Sequence, residues 1–353
     1  MLDLTPLDWN EFFDRKELLS INEDKFNVYL KGSKGPLFCL LHGGGYTGLT
    51  WACFSEQISS LIECQIIAPD LCDHGETQVE DNRDMSAERM AKDVCSIYHH
   101  LFAKMTTPPP LILIGHSMGG SIAINIANLS LLPNILAVSA IDVVEGSAIA
   151  SLTFMQQFLR DRPQTFVSME KAIEWCMKNR ITSNLRAAKA YIIRSYTIVE
   201  GSAIASLTFM QQFLRDRPQT FVSMEKAIEW CMKNRITSNL RAAKVSMPSR
   251  LVYFENNGKK MLKWRTNLSK TEPYWKGWFK GLSKSFLNCE PVKILILANI
   301  DRLDRELMTG QMRGQFQLEV MHKSGHAVHE DNPEDVAKIF SRIIERYRKI
   351  LNF

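Results

Sequence analysis

Gly115-His116-Ser117-Met118-Gly119 follows the apolar run Pro110-Leu-Ile-Leu-Ile114 and precedes Ser121-Ile-Ala-Ile-Asn-Ile-Ala-Asn128. The run reads as a buried strand and the later segment as a helix, which puts a serine at the apex of a sharp turn. The flanking glycines let the backbone turn tightly enough to hold the Ser117 hydroxyl clear of the sheet, at the helix N-terminus. G-x-S-x-G arises often by chance; the strand before it and the helix after it make it a nucleophile elbow. Such an elbow predicts an oxyanion-binding loop upstream and a histidine far downstream.

Upstream, Leu40-Leu41-His42-Gly43-Gly44-Gly45 ends the apolar run 37–41. Without Cβ atoms, these glycines can turn backbone N–H groups towards a ligand. An N–H of Gly43 or Gly44, with that of Met118, is expected to hold the oxyanion of a tetrahedral intermediate. Loss of one such donor costs roughly 3–4 kcal/mol of transition-state stabilisation. A glycine loop alone is more often merely flexible; its place before the elbow favours the oxyanion role.

Downstream, Gly325-His-Ala-Val-His-Glu-Asp-Asn-Pro333 separates a strand-like 316–321 from a helix running to about 351. Among eight histidines, His326 is the expected general base and His329 the second choice. His99 and His100 fall on an amphipathic helix, His42 and His116 in glycine motifs, His74 in a loop and His322 at a strand end. Chain order in this architecture puts the acid between serine and histidine. Two aspartates there end apolar strands, Asp142 after 135–141 and Asp301 after 294–300. Most such hydrolases place the acid after the later strand, which favours Asp301. Residue patterns alone leave both open.

Strands expected at 37–41, 65–69, 111–114, 135–141, 293–298 and 316–321 alternate with helices near 86–101, 121–128 and 333–351. Uninterrupted apolar strands with helical crossovers mean a mostly parallel central sheet with helices on both faces. A strand near 26–30 is expected antiparallel at its edge. The fold class is α/β, of the α/β-hydrolase type, with 1–143 and 287–353 as core and 144–286 as an inserted helical lid. Trp175, Trp230, Trp264, Trp275 and Trp278 lie in that insert, as lid core or as the lining of a peptide groove.

Residues 144–189 recur without change as 199–244, a 46-residue block repeated at a spacing of 55. Solenoid repeats drift in sequence and number at least three, so this is no solenoid. A recent exon duplication or an error in the gene model accounts for it better. Joining Lys189 to Val245 restores an uninterrupted chain and lowers the net charge from +5 to +1, so the basic balance is no sign of nucleic-acid binding. Each copy reads as helices, 148–160 and 169–178 in the first, the latter capped by Ser168. Two identical amphipathic copies cannot fill one groove, so a single copy is expected in the native protein. A tryptic peptide 195–215 from native material would contradict that.

With 353 residues, 45% of them apolar, the chain can fold as one large domain or as a core plus lid. No apolar run is long enough to span a membrane, and residues 1–9 lack the basic and apolar regions of a secretory signal. The eight scattered cysteines read as reduced thiols in a soluble intracellular protein, cytoplasmic or nuclear. Neither metal nor cofactor is expected, since no Cys-x-x-Cys or convincing histidine cluster occurs.

Several stretches carry a sharper resemblance: Leu41-His-Gly-Gly-Gly45, Asp70-Leu with His74-Gly-Glu-Thr77, Gly115-His-Ser-Met-Gly-Gly120 and Ile141-Asp-Val-Val-Glu-Gly146. To these add Lys270-Thr-Glu-Pro-Tyr-Trp275, Gly277-Trp-Phe279, Asp301-Arg-Leu-Asp304, Gly310-Gln-Met312 and 325–331. In them the chain resembles the protein phosphatase methylesterase family, from about Pro6 to the final helix. The elbow and histidine loop are common to α/β-hydrolases; Ile-Asp-Val-Val-Glu-Gly and the Trp-rich segment are far more specific. The resemblance implies Asp142 as the acid, one strand earlier than usual, with Asp301 as the alternative. It implies that Ser117 and His326 cleave the methyl ester on the C-terminal leucine of the protein phosphatase 2A catalytic subunit, whose tail and body the protein would bind as a monomer. Two departures stand out. Cys72-Asp73 replaces the family's Arg-Ser, and a short 250–263 segment replaces the long acidic loop of some members. A broad small-ester carboxylesterase and a non-catalytic phosphatase-binding protein are the competing readings.

Overall fold

The computed structural model describes residues 3–80, 84–103, 105–148, 218–256 and 258–351. The strands are β1 (Arg15–Ile21), β2 (Asp24–Lys31), β3 (Leu37–Leu41), β4 (Gln65–Pro69), β5 (Leu111–His116), β6 (Ile135–Ile141), β7 (Thr220–Phe221), β8 (Leu251–Asn256), β9 (Lys259–Trp264), β10 (Val292–Leu297) and β11 (Gln317–Val320). Eight of them form one sheet in the order β1-β2-β4-β3-β5-β6-β10-β11. From β4 to β11 every pairing is parallel, while β1 with β2 and β2 with β4 are antiparallel. The expected antiparallel strand is therefore β2, but it is not the edge. The edge is β1, whose mixed Arg15-Lys-Glu-Leu-Leu-Ser-Ile21 carries little apolar signal because it is exposed along much of its length.

The apolar runs become strands because they are buried from both sides. All five residues of β3 and all six of β5 are buried. Phe38 in β3 meets Phe54 of helix Ala52–Leu61 and Phe340 of helix Pro333–Leu351 edge-on, at ring distances of 6.3 and 6.2 Å. Helices Ala87–Phe102 and Met118–Asn128 pack against each other in the other layer. Helix Ala87–Phe102 starts where the sequence places it, because the Ser86 hydroxyl accepts the Arg89 N–H. Helix Met118–Asn128 begins three residues before the expected 121, since its first turn is the elbow itself.

By contact, residues 1–145 and 219–353 form one unit and 146–218 a second. The first copy of the duplicated block lies outside the described residues from 149 on, as do Trp175 and the helices expected over 148–160 and 169–178. The second copy is described from residue 218. Its helix Met224–Lys233 is the counterpart of 169–178 and is capped as that pattern predicts, with Ser223 Oγ accepting the Lys226 N–H at 3.3 Å.

The segments on either side of it hold strands that helical periodicity did not suggest. β7, β9 and β8 make a small antiparallel sheet, closed by a triangle of Phe221, Trp230 and Trp264 rings 5.5–5.8 Å apart. Trp275 and Trp278 are buried, their indole N–H groups donating to Thr271 Oγ1 and the Met85 carbonyl. Both are core residues rather than groove lining. The described cysteines are free thiols, and among the described residues no helix is long and apolar enough to cross a membrane.

Candidate active site

Ser117 joins β5 to helix Met118–Asn128 with φ 51° and ψ −116°, a left-handed conformation costly for a residue with a side chain. Its N–H is held by the Ile141 carbonyl at 3.0 Å. The glycines around it are steric necessities. A Cβ on Gly115 would lie 2.1 Å from the Gly119 carbonyl oxygen, and one on Gly119 would lie 2.2 Å from that of Leu41. Strand and helix backbones cross too closely there for any side chain.

The loop after β3 lies against this elbow. A Cβ on Gly43 would stand 2.7 Å from His116 Nδ1 and 3.3 Å from Ser117 Cβ, whereas one on Gly44 would make only ordinary contacts. The N–H groups of Gly43, Gly44 and Met118 have no hydrogen-bond partner among the described residues. Two buried histidines brace the loop. His42 donates from Nδ1 to the Gly43 carbonyl and accepts the Leu71 N–H on Nε2. His74 donates to the Cys72 carbonyl and accepts the Gly45 N–H. Each accepts on Nε2, so each is neutral in this tautomer. Burial, followed by the neighbouring His74, holds His42 well below the usual imidazole range. Sequence reading treated both only as members of loops and glycine motifs; their bracing contacts join segments about thirty residues apart.

At the end of β6, Asp142 also adopts a positive φ, 52°, and its N–H donates to the Ile296 carbonyl at 2.7 Å. Its side chain is fully buried. Oδ1 accepts the Ala298 N–H at 3.1 Å, while Oδ2 accepts both His326 Nδ1–H at 2.7 Å and the Arg302 guanidinium. Burial alone would raise this carboxyl; the Arg302 charge and the His326 and Ala298 hydrogen bonds outweigh it and bring it below the usual carboxylate range. A carboxylate only accepts, so His326 carries its proton on Nδ1 and leaves the Nε2 lone pair available. Among the described residues no hydrogen bond joins His326 to Ser117 Oγ.

Asp301 is exposed and, among the described residues, bonds only to Asn299, so the structure pairs the histidine with Asp142. His329 points elsewhere: its Nε2 donates to Thr50 Oγ1 at 2.9 Å and its ring lies 4.1 Å from that of Trp51. The histidine loop is anchored to the second copy. Asp331 accepts from Thr237 Oγ1 and from the N–H and hydroxyl of Ser238 on one oxygen, and from the Gly325 N–H on the other. Arg302, Asp331 and the bracing histidines escaped sequence reading. Arg302 had one available signal, its place in Asp301-Arg-Leu-Asp304. Among the described residues no group of His, Cys, Asp or Glu is arranged to hold a metal ion.

Residues 40–339 match the model of the alpha/beta hydrolase family. Protein phosphatase methylesterase 1 of Rattus norvegicus is 41% identical over 350 residues, covering 98% of this chain and 86% of that protein. The protein of that name from Homo sapiens is 40% identical over 352 residues, covering 98% and 86%. The probable protein phosphatase methylesterase 1 of Caenorhabditis elegans is 40% identical, covering 98% and 79%. The chain belongs to the protein phosphatase methylesterase family.

As a member of that family it is a carboxylic ester hydrolase. Solved structures agree on the fold. E-2-(acetamidomethylene)succinate hydrolase superposes with a TM-score of 0.57 at 17% identity, covering 94% of this chain and 99% of that one. An esterase of Mycobacterium tuberculosis gives 0.55 at 15%, covering 94% and 91%. The exchange to Cys72 and Asp73 leaves the anchor of their loop, Asp70, in place. Its carboxylate accepts the N–H groups of Gly48 and Glu76 and the Asn27 amide, leaving the exchanged positions outside those contacts.

Proposed function

We propose that this chain hydrolyses the methyl ester on the C-terminal leucine of the protein phosphatase 2A catalytic subunit. Ser117 is the nucleophile, His326 the base and Asp142 the acid. His326 Nε2 takes the Ser117 proton as Oγ attacks the ester carbonyl. The oxyanion is held by the N–H of Met118 and one from Gly43 or Gly44. Collapse expels methanol, which receives the proton from His326. Water then attacks the acyl-serine, giving its proton to His326; the carboxylate leaves and Ser117 is restored. Asp142 keeps the imidazole in the right tautomer and stabilises the imidazolium.

The observation that carries this reading is the 2.7 Å contact between Asp142 and His326, on loops that flank the strained serine in a chain about 40% identical to named methylesterases. Intact nucleophile, base and free N–H groups speak against a purely binding role. Residues 144–286 are read as an insert between the core segments 1–143 and 287–353, and Asp301 is retained as alternative acid only if Asp142 proves dispensable.

The test incubates the purified 353-residue chain with carboxymethylated phosphatase 2A and follows methanol. Release that vanishes in Ser117→Ala is the expected result. Turnover surviving that change would sink the mechanism, and equal cleavage of short acyl esters would favour a broad esterase. A chain lacking 190–244, assayed in parallel, separates a block by the extra copy from a wrong substrate.

A further inference from the structure

We propose that Arg302 is a positioning residue that fixes Asp142 and sets the acidic limit of turnover; this rests on the roles given above to Ser117, His326 and Asp142. The loop leaving β10 grips both oxygens of the buried carboxylate. Ala298 donates its N–H to Oδ1, and Arg302 reaches Oδ2 from four residues further on. Oδ2 is the same oxygen that receives His326 Nδ1.

That sharing has a chemical consequence. While the imidazole is neutral, the buried Asp142 carboxylate is balanced by the permanent charge of Arg302. Once His326 takes a proton, two cations face one carboxylate oxygen. Arg302 therefore opposes the arrival of a second positive charge beside the same carboxylate oxygen. It keeps the pair ready to accept the serine proton at lower pH and speeds return of that proton to the leaving alcohol. Orientation is the second consequence: a carboxylate clamped on both oxygens cannot rotate away from the ring.

The other charged and titratable groups around the pair do not replace this effect. The His116 ring lies 4.6 Å from that of His326, and the His329 ring 4.7 Å from that of His116; burial first, then the adjacent imidazole, holds both well below the usual imidazole range. Arg250 is tied to Glu330 at 2.8 Å, and Asp331 is occupied by Gly325, Thr237 and Ser238. Among the described residues, the side chains that reach the Asp142 carboxylate are His326 and Arg302.

The experiment measures kcat/KM for methanol release against pH in the full chain, in R302Q and R302M, and in R302K. The neutral variants should move the acidic limb up by about one pH unit. R302K, which keeps the charge but not the planar fork, should leave the limb in place while lowering kcat. Guanidinium ion at tens of millimolar should draw the R302Q limb back towards the original. An unmoved limb in folded R302Q or R302M overturns the proposal, whatever happens to the rate. If neither neutral variant folds, Arg302 serves the fold itself and the proposal falls. Ser117→Ala run beside them distinguishes a failure of the triad, since residual turnover there would undo the mechanism and not merely the role of Arg302.

Discussion

Arg250 and Glu330 form a fully enclosed ion pair, Nη2 to Oε1 at 2.8 Å, with side chains 3% and 0% exposed. Arg250 also lies over the Tyr46 ring at 3.8 Å and bonds Ser246 Oγ. Glu330 further accepts the Thr50 hydroxyl. The pair ties the residues just after the duplicated block to the loop carrying His326. Burial pushes Glu330 up and Arg250 pulls it back, so neither charge is tolerable alone.

E330Q or R250M is therefore expected to cost about 3–5 kcal/mol, because each strands a buried partner. The double variant R250M/E330L should recover most of that loss. Urea unfolding of the three chains checks it, and a double variant no better than the singles would contradict the argument.

D142N should lower the rate of ester cleavage by roughly 10⁴-fold, since the amide favours the wrong imidazole tautomer. D301A should leave it within about twofold, as expected of an exposed side chain away from the histidine. Comparing methanol release from the two variants decides between these acids.

D331A frees the Gly325 N–H and the Thr237–Ser238 turn together. We expect kcat to fall about tenfold through misplacement of His326, with KM nearly unchanged. A fall in KM and kcat alike would point to a different role for that loop.

Asp70 gives the pH dependence a definite sign. Burial pushes its carboxyl up to about 6 from an ordinary value of 3.8, although Glu76, Gly48 and Asn27 all donate to it. Between about pH 4 and 6 the native chain thus binds this proton more tightly than the unfolded chain. Asp70's contribution to stability is full below pH 4 and is lost as pH rises through 6, by roughly 3 kcal/mol. Asp142, brought down rather than up, acts in the opposite sense and loses its contribution as pH falls below the ordinary carboxylate range. Carbon-13 titration of the Asp70 carboxyl should find its midpoint near 6; a midpoint near 4 would refute the assignment.

A chain lacking 190–244 should keep the same core. Thr182 and Ser183 of the remaining copy are identical in context to Thr237 and Ser238 and would meet Asp331 in their place. Equal thermal stability and turnover in the shortened chain is the expected outcome; loss of both would mean the extra copy is structural.

What the sequence determined by itself was local. Apolar runs with helical crossovers specify a parallel sheet, and an elbow with glycines on both sides specifies where the nucleophile stands. Those features arise from contacts between near neighbours in the chain, such as Gly115 against Gly119, and so leave a readable pattern. The choice of acid was different. Asp142 and Asp301 both follow apolar runs, so residue pattern left both open, and only the resemblance of Ile141-Asp-Val-Val-Glu-Gly146 to a family motif favoured Asp142. Tertiary structure brought Asp142 and His326 together across 184 positions and turned Asp301 outward. It also placed Arg302 on the acid, Asp331 against the duplicated block and two histidines beneath the glycine loop. Those partners are distant in sequence, and their identity is fixed only when burial makes each polar group find one.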